Sequence, residues 1–217
     1  MFKLISSSSG YAETVLYRFK GGADGGEPLG QPLDVKGSLY GTTWWGGMAC
    51  SCGGVFEISP AGKERVLYRF KGGTDGDGPV AGLINVNGTL YGTTAQGGAS
   101  NDGTVFKITT SGKESVLYSF KGGTDGASPQ ATLTNVNGTL YGSTTTGGGT
   151  GCPKRSGCGT VFKITRSGAE SVLYSFKGGV DGSRPFAGLA NLSGTLYGTT
   201  YGGHRVDRYG TLFALTP

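Results

Sequence analysis

One phrase of about fifty residues recurs throughout this 217-residue chain, and such a period restricts the fold more than any single motif does. Aligned on Val-Leu-Tyr, the units start at Val15, Val66, Val116 and Val172, in steps of 51, 50 and 56 residues. Each unit holds four short apolar runs parted by turn residues; in the second they are 81–86, 89–94, 104–109 and 115–120. Short runs rich in Val, Ile, Tyr, Phe and Thr read as strands, and four strands per unit describe a propeller blade. No unit carries a helical period. The expected architecture is therefore all-β: one domain over 1–217, a four-bladed β-propeller with blades at 31–70, 81–120, 131–176 and 187–216 plus 13–19.

The turns agree with this reading. Asn87 with Gly88, and Asn137 with Gly138, suit the two positive-φ positions of a type I′ hairpin. Lys36 with Gly37 and Ser193 with Gly194 take the same place in the other units, and Gly62, Gly112 and Gly168 centre the turn between the third and fourth runs. Glycine supplies 45 residues, a share that would signal low complexity if apolar runs did not interrupt it at regular intervals. Strict alternation in 115–120 would put Val116, Tyr118 and Phe120 on one face and Leu117 on the other. Both faces are apolar, as a blade packed between two neighbours requires.

With strands labelled A to D from the axis outward, A, B and D each occur four times. C occurs five times, at 2–5, 55–58, 105–108, 161–164 and 212–215. The last unit has A, B and C but no D, while the N-terminal segment 14–19 is a D strand without its own A and B. The expectation is that 14–19 completes the last blade and closes the ring, removing exposed sheet edges. Residues 2–5 are then a spare C strand.

The stretch NGTLYGTTAQGGASNDGTVFKITTSGKESVLYSF, residues 87–120, resembles the GloVer tandem repeat of bacterial "choice-of-anchor" surface proteins. That family's units run Leu-Tyr-Gly-Thr-Thr, a Gly-Gly segment, Gly-Thr-Val-Phe and Val-Leu-Tyr-Ser-Phe. The match extends over essentially the whole chain, with LYGTT or LYGST at 39–43, 90–94, 140–144 and 196–200. The resemblance implies an exported bacterial protein, extracellular or at the cell surface, of undefined biochemical role.

Nineteen basic against fourteen acidic residues give a net charge of +5, scattered along the chain, which argues against a nucleic-acid partner. No run of eighteen apolar residues is present, so no membrane-spanning helix is expected, and the first residues do not read as a signal peptide.

Four cysteines fall in two pairs, Cys50 with Cys52 and Cys152 with Cys158, each between strands B and C. A Cys152 to Cys158 bridge would close the small loop that lengthens the third step, worth roughly 2 kcal/mol in the chain-entropy model. A Cys50 to Cys52 bridge needs a tight bend at Ser51. A zinc site built from all four is the alternative, but the two pairs belong to opposite blades and their spacing fits no common zinc pattern.

In a propeller the B–C and D–A connections emerge on one rim, and here these connections differ most between units. After GTT or GST stand Trp44 and Trp45, Ala95 and Gln96, Thr145 and Thr146, and Tyr201, with His204 and Arg205 close behind. Trp44, Trp45, Gln96, Tyr201, His204 and Arg205 are the candidate ligand-binding set, stacking rings with polar edges suited to a sugar or a peptide. Recurring Lys20, Lys71, Lys121 and Lys177 with Asp24, Asp75, Asp125 and Asp181 could suggest calcium, but Asp-Gly is also turn chemistry. Asn87, Asn137 and Asn191 match a glycosylation sequon. His204 with Asp207 is too little for a catalytic triad. These readings predict a non-enzymatic, cofactor-free binding module for a glycan or protein. The alternative is a self-assembling surface or filament subunit joined by strand exchange.

Overall fold

The computed structural model describes residues 2–7, 10–47, 50–149, 152, 157–202 and 209–217. Two strands, β1 (Phe2–Ser7) and β2 (Gly10–Val15), pair with each other. Among the described residues fifteen more strands follow in blade order. Blade 1 contains β3 (Leu33–Val35), β4 (Ser38–Thr43), β5 (Gly54–Ile58) and β6 (Glu64–Arg69). Blade 2 contains β7 (Ile84–Val86), β8 (Thr89–Thr94), β9 (Thr104–Thr109) and β10 (Glu114–Ser119). Blade 3 contains β11 (Thr134–Val136), β12 (Thr139–Thr144), β13 (Thr160–Ile164) and β14 (Glu170–Ser175). Blade 4 contains β15 (Ala190–Leu192), β16 (Thr195–Thr199) and β17 (Leu212–Leu215). Every sheet is an antiparallel meander in sequence order. Each of the four D–A connections begins with a single 3-10 turn, and no α-helix occurs among the described residues.

The inner hairpins form because each turn satisfies itself. Both central residues take positive φ in all four, for example 53° at Asn87 and 84° at Gly88, the type I′ geometry that matches strand twist. The side-chain oxygen of Asp34, Asn85, Asn135 or Asn191 accepts a bond from the glycine amide three residues on, at 2.8–3.2 Å.

Blades are joined by apolar faces of fixed composition. The forward face of blade 1 (Tyr40, Val55, Phe70) packs on Leu83, Leu90, Phe106 and Ile108 of blade 2. Blades 2 and 3, then 3 and 4, repeat the arrangement. At each junction a phenylalanine ending strand D meets edge-on the phenylalanine of the next strand C: Phe70 on Phe106, Phe120 on Phe162 and Phe176 on Phe213, each 5.0 Å between centroids. Burying each such ring contributes about 1.5–3 kcal/mol. The Leu-Tyr-Gly motif has its cause here. A Cβ at Gly41, Gly92, Gly142 or Gly198 would lie 2.5–2.6 Å from the facing ring of Phe56, Phe106, Phe162 or Phe213.

Two expectations are corrected. A β-bulge falls at Leu117, so that Val116 lies opposite Phe106 but Tyr118 lies opposite Val105. Directly opposed residues share a face, and Phe106 faces blade 1 while Val105 faces blade 3. Val116 and Tyr118 therefore point to opposite faces, which simple alternation misses because the bulge inserts one extra residue. Blades 1 and 3 carry the same shift.

The second correction concerns closure. Among the described residues blade 4 has three strands, and β2 pairs with β1, Phe2 opposite Val15, in the register that sets Phe56 opposite Val66. The residues after β2 lie against blade 1, where Phe19 meets Phe56 at 4.9 Å. The N-terminal segment thus backs the first blade and leaves the fourth incomplete, because the spare C strand occupies its pairing edge. The innermost strands touch in the order β3, β7, β11, β15, and no comparable contact joins β15 back to β3.

Candidate functional site

The rim is built where each D–A connection meets the B–C connection of its own blade. Isolated bridges pair Gly26 with Trp45, Asp77 with Gln96, Ala127 with Thr146 and Ser183 with Gly202. The residue after each bridge has positive φ: Glu27 53°, Gly78 65°, Ser128 57° and Arg184 57°. Its carbonyl accepts a bond from the amide of Trp44, Ala95, Thr145 or Tyr201 at 3.0–3.1 Å. The four blades therefore present equivalent positions on one edge, each with different side chains.

At those positions Trp44 is 45% exposed, Trp45 40% and Tyr201 71%. The Trp45 indole lies on Gly26 of its own blade, 3.3 Å from where a Cβ would stand, and Trp44 reaches across to Gly78 of blade 2. Tyr201 meets Phe186 edge-on at 5.7 Å. Gln96 is exposed, and beside it burial pushes the Asp77 carboxyl above its ordinary value. The structure thus places the Trp pair on blade 1, Gln96 on blade 2 and Tyr201 on blade 4. His204 and Arg205 lie outside the described residues. Phe186, missed in sequence, joins Tyr201; its signal was an aromatic where the other units have Leu29, Val80 and Gln130.

The recurrent aspartates serve the fold. Tyr17, Tyr68, Tyr118 and Tyr174 donate their hydroxyl protons to Oδ1 of Asp24, Asp75, Asp125 and Asp181 at 2.6–2.7 Å. The backbone amides of Lys20, Lys71, Lys121 and Lys177 donate to Oδ2 at 2.6–2.8 Å. Both oxygens of each carboxylate are thereby used in closing the turn. The constant Tyr-to-Asp spacing of seven was a readable signal for this pair. Glu114 and Glu170 approach the Tyr–Asp pairs of the preceding blade, Tyr68 with Asp75 and Tyr118 with Asp125. Burial, and then the adjacent aspartate, raises both glutamates to about 7.

Cys50 is bridged to Cys52 and Cys152 to Cys158, in place of a shared metal site. Cys52 and Cys158 are buried between blades, so each bridge anchors a rim loop to an inter-blade core.

A family model described as the Gloeobacter/Verrucomicrobia repeat matches residues 1–154, and the chain belongs to that family. No curated protein matches the chain in sequence. Among solved structures, it is similar to an X-ray structure described as a "putative gluconolactonase", with a TM-score of 0.52 and 14% identity. The likeness covers 88% of this chain but only 64% of that one. At that identity it is a likeness of fold, and it supports the propeller assignment. It also corrects the expectation of a non-enzyme. That expectation rested on His204 and Asp207 being too little for a catalytic triad, and a similar fold occurs in a protein described as a "putative gluconolactonase".

Proposed function

We propose that this chain is an exported binding module of a bacterial surface, meeting a glycan or protein ligand on its rim through the aromatic rings of blades 1 and 4. Two disulfides and membership of a bacterial repeat family support an oxidising, extracellular setting. The observation that carries the reading is a contrast along one edge. Trp44 and Trp45, and Phe186 and Tyr201, stand in water, whereas the positions of the Trp pair hold Ala95 and Gln96 in blade 2 and Thr145 and Thr146 in blade 3. Large rings exposed at a variable edge mark a stacking surface. In this reading Gln96, His204 and Arg205 supply the polar edges that orient the ligand.

The test is a glycan-array and protein-partner screen with the full chain, repeated with Trp44→Ala/Trp45→Ala. Binding should weaken at least about tenfold, equivalent to 1.4 kcal/mol, while the thermal midpoint stays in place. Unchanged binding, or an unfolded double variant, would remove the rim from consideration. The screen should include sugar lactones, since the structural relative is described by that chemistry. A second reading, a self-assembling subunit, is favoured by the uncovered forward face of blade 4.

A further inference from the structure

Three junctions within the chain show what a forward blade face requires. Val55, Val105 and Val161 are fully buried there, whereas their counterpart Leu212 is 77% exposed. Tyr40, Tyr91 and Tyr141 are buried, but Tyr197 is 36% exposed. The hydroxyls of Thr42, Thr93 and Ser143 donate to carbonyls of the following blade, those of Ala81, Ala131 and Pro185; the counterpart Thr199 is exposed. Pro79, Pro129 and Pro185 press on Gly53, Gly103 and Gly159 of the blade before. The counterparts are Pro28, which is exposed, and Gly210.

The outer edge of blade 4 is equally specific. A cavity of about 210 Å³ is lined by Val161, Tyr174, Phe176, Asp181 and residues 213–215 of β17. In blades 2 and 3 the corresponding place beside β9 and β13 is taken by strands that open with Glu114 and Glu170, whose side chains reach the preceding Tyr–Asp pair. Tyr174 with Asp181 is such a pair, and the slot beside it calls for a strand of pattern Glu-x-Val-Leu-Tyr. Within these residues, the strand of that pattern outside any four-stranded sheet is Glu13-Thr14-Val15-Leu16-Tyr17. Its Glu13 and Val15 are exposed, and its partner β1 has no strand beyond it. A lone two-stranded hairpin is marginal in water, so β17, already backed by β16, competes well for β2.

We propose that chains join head to tail, residues 13–19 of one copy displacing β1 and completing blade 4 of the next, with blade 1 of the donor covering Tyr197 and Leu212. This deepens the self-assembly reading and rests on it; it is independent of the rim ligand. The donor is a second copy because β2 is paired with β1, and among the described residues no contact comparable to those between successive blades joins blade 4 to β2 or β3 within one molecule. At the inner junctions each D–A connection also holds the B–C connection of the blade before it: Gly78, Ser128 and Arg184 donate to carbonyls of such loops, those of Cys52, Asp102 and Cys158.

The test is Thr14→Cys/Ala214→Cys in the full chain, two positions that face each other in the proposed junction as Arg65 faces Glu57. Mild oxidation should give a ladder of covalent oligomers on non-reducing gels, lost in either single variant beyond the dimer. An intrachain bridge would mean that the ring closes on itself, and no cross-link would mean that the slot stays empty; either overturns the proposal. Independently, Leu212→Asp and Val15→Asp, both at exposed positions, should each yield folded monomers that form only a one-to-one dimer when mixed. Rim-ligand binding by Leu212→Asp should match the parent, so failure of assembly and failure of the rim reading remain separate results.

Discussion

At the scale of single residues, function and folding divide the polar side chains between them. The aspartate of each D–A turn is consumed by a tyrosine hydroxyl and a lysine amide, and the glutamates that approach from the following blade are left partly desolvated, each with one carboxylate oxygen buried and unpaired. Glu114 and Glu170 are raised from 4.5 to about 7 by burial and then by the neighbouring aspartate. The sign follows from linkage. Below pH 4.5 both states hold the proton and the contribution to stability is complete. As pH rises through 7 the folded state must ionise in a buried place, and that contribution is lost. Chemical denaturation from pH 4.5 to 8 should therefore show the parent losing stability relative to Glu114→Gln/Glu170→Gln, with the difference levelling above 7. Parallel pH curves would remove the two carboxylates from the inter-blade contact.

At the scale of the element, two glycines in one hairpin answer to different causes. Gly88 has φ +84° with nothing within 4 Å of a Cβ, whereas Gly92 has an ordinary φ but faces the Phe106 ring at 2.6 Å and Leu83 at 2.8 Å. Gly88→Ala should cost about 1 kcal/mol from the backbone alone. Gly92→Ala should cost about 1–3 kcal/mol by overpacking, and Phe106→Leu in the same chain should recover part of it. Urea titration of the three variants checks this. Recovery at Gly88 by the same second change would contradict the assignment. The turn glycines were legible in the sequence because their chemistry is local. The bulge at Leu117 was not, since it depends on which residues of β9 lie opposite β10.

At the scale of the whole molecule, stability is a chain of nearest-neighbour interfaces. Blades 2 and 3 are covered on both faces, blade 4 on one, and the β1–β2 hairpin extends beyond any four-stranded sheet. Hydrogen exchange of the dilute chain should be slowest in β8, β9, β12 and β13 and fastest in β2, β16 and β17. Uniform protection across the four blades would contradict an open arc. On concentrating the sample, β17 should slow first, as strand donation requires.

By itself the sequence determined the repeat, the number and order of strands, the hairpin turns and the shared rim of Trp44, Gln96 and Tyr201. Each follows from spacing and local backbone preference, which act over a few residues. Only the tertiary structure decided which C strand holds 10–15, where 16–19 rests, and that Tyr197 and Leu212 stay uncovered. Two C strands of nearly equal pattern compete for one D strand, and local preference does not distinguish them. The outcome depends on the distance between the ends of the arc, a sum of blade-to-blade angles set by packed side chains such as Phe70 on Phe106.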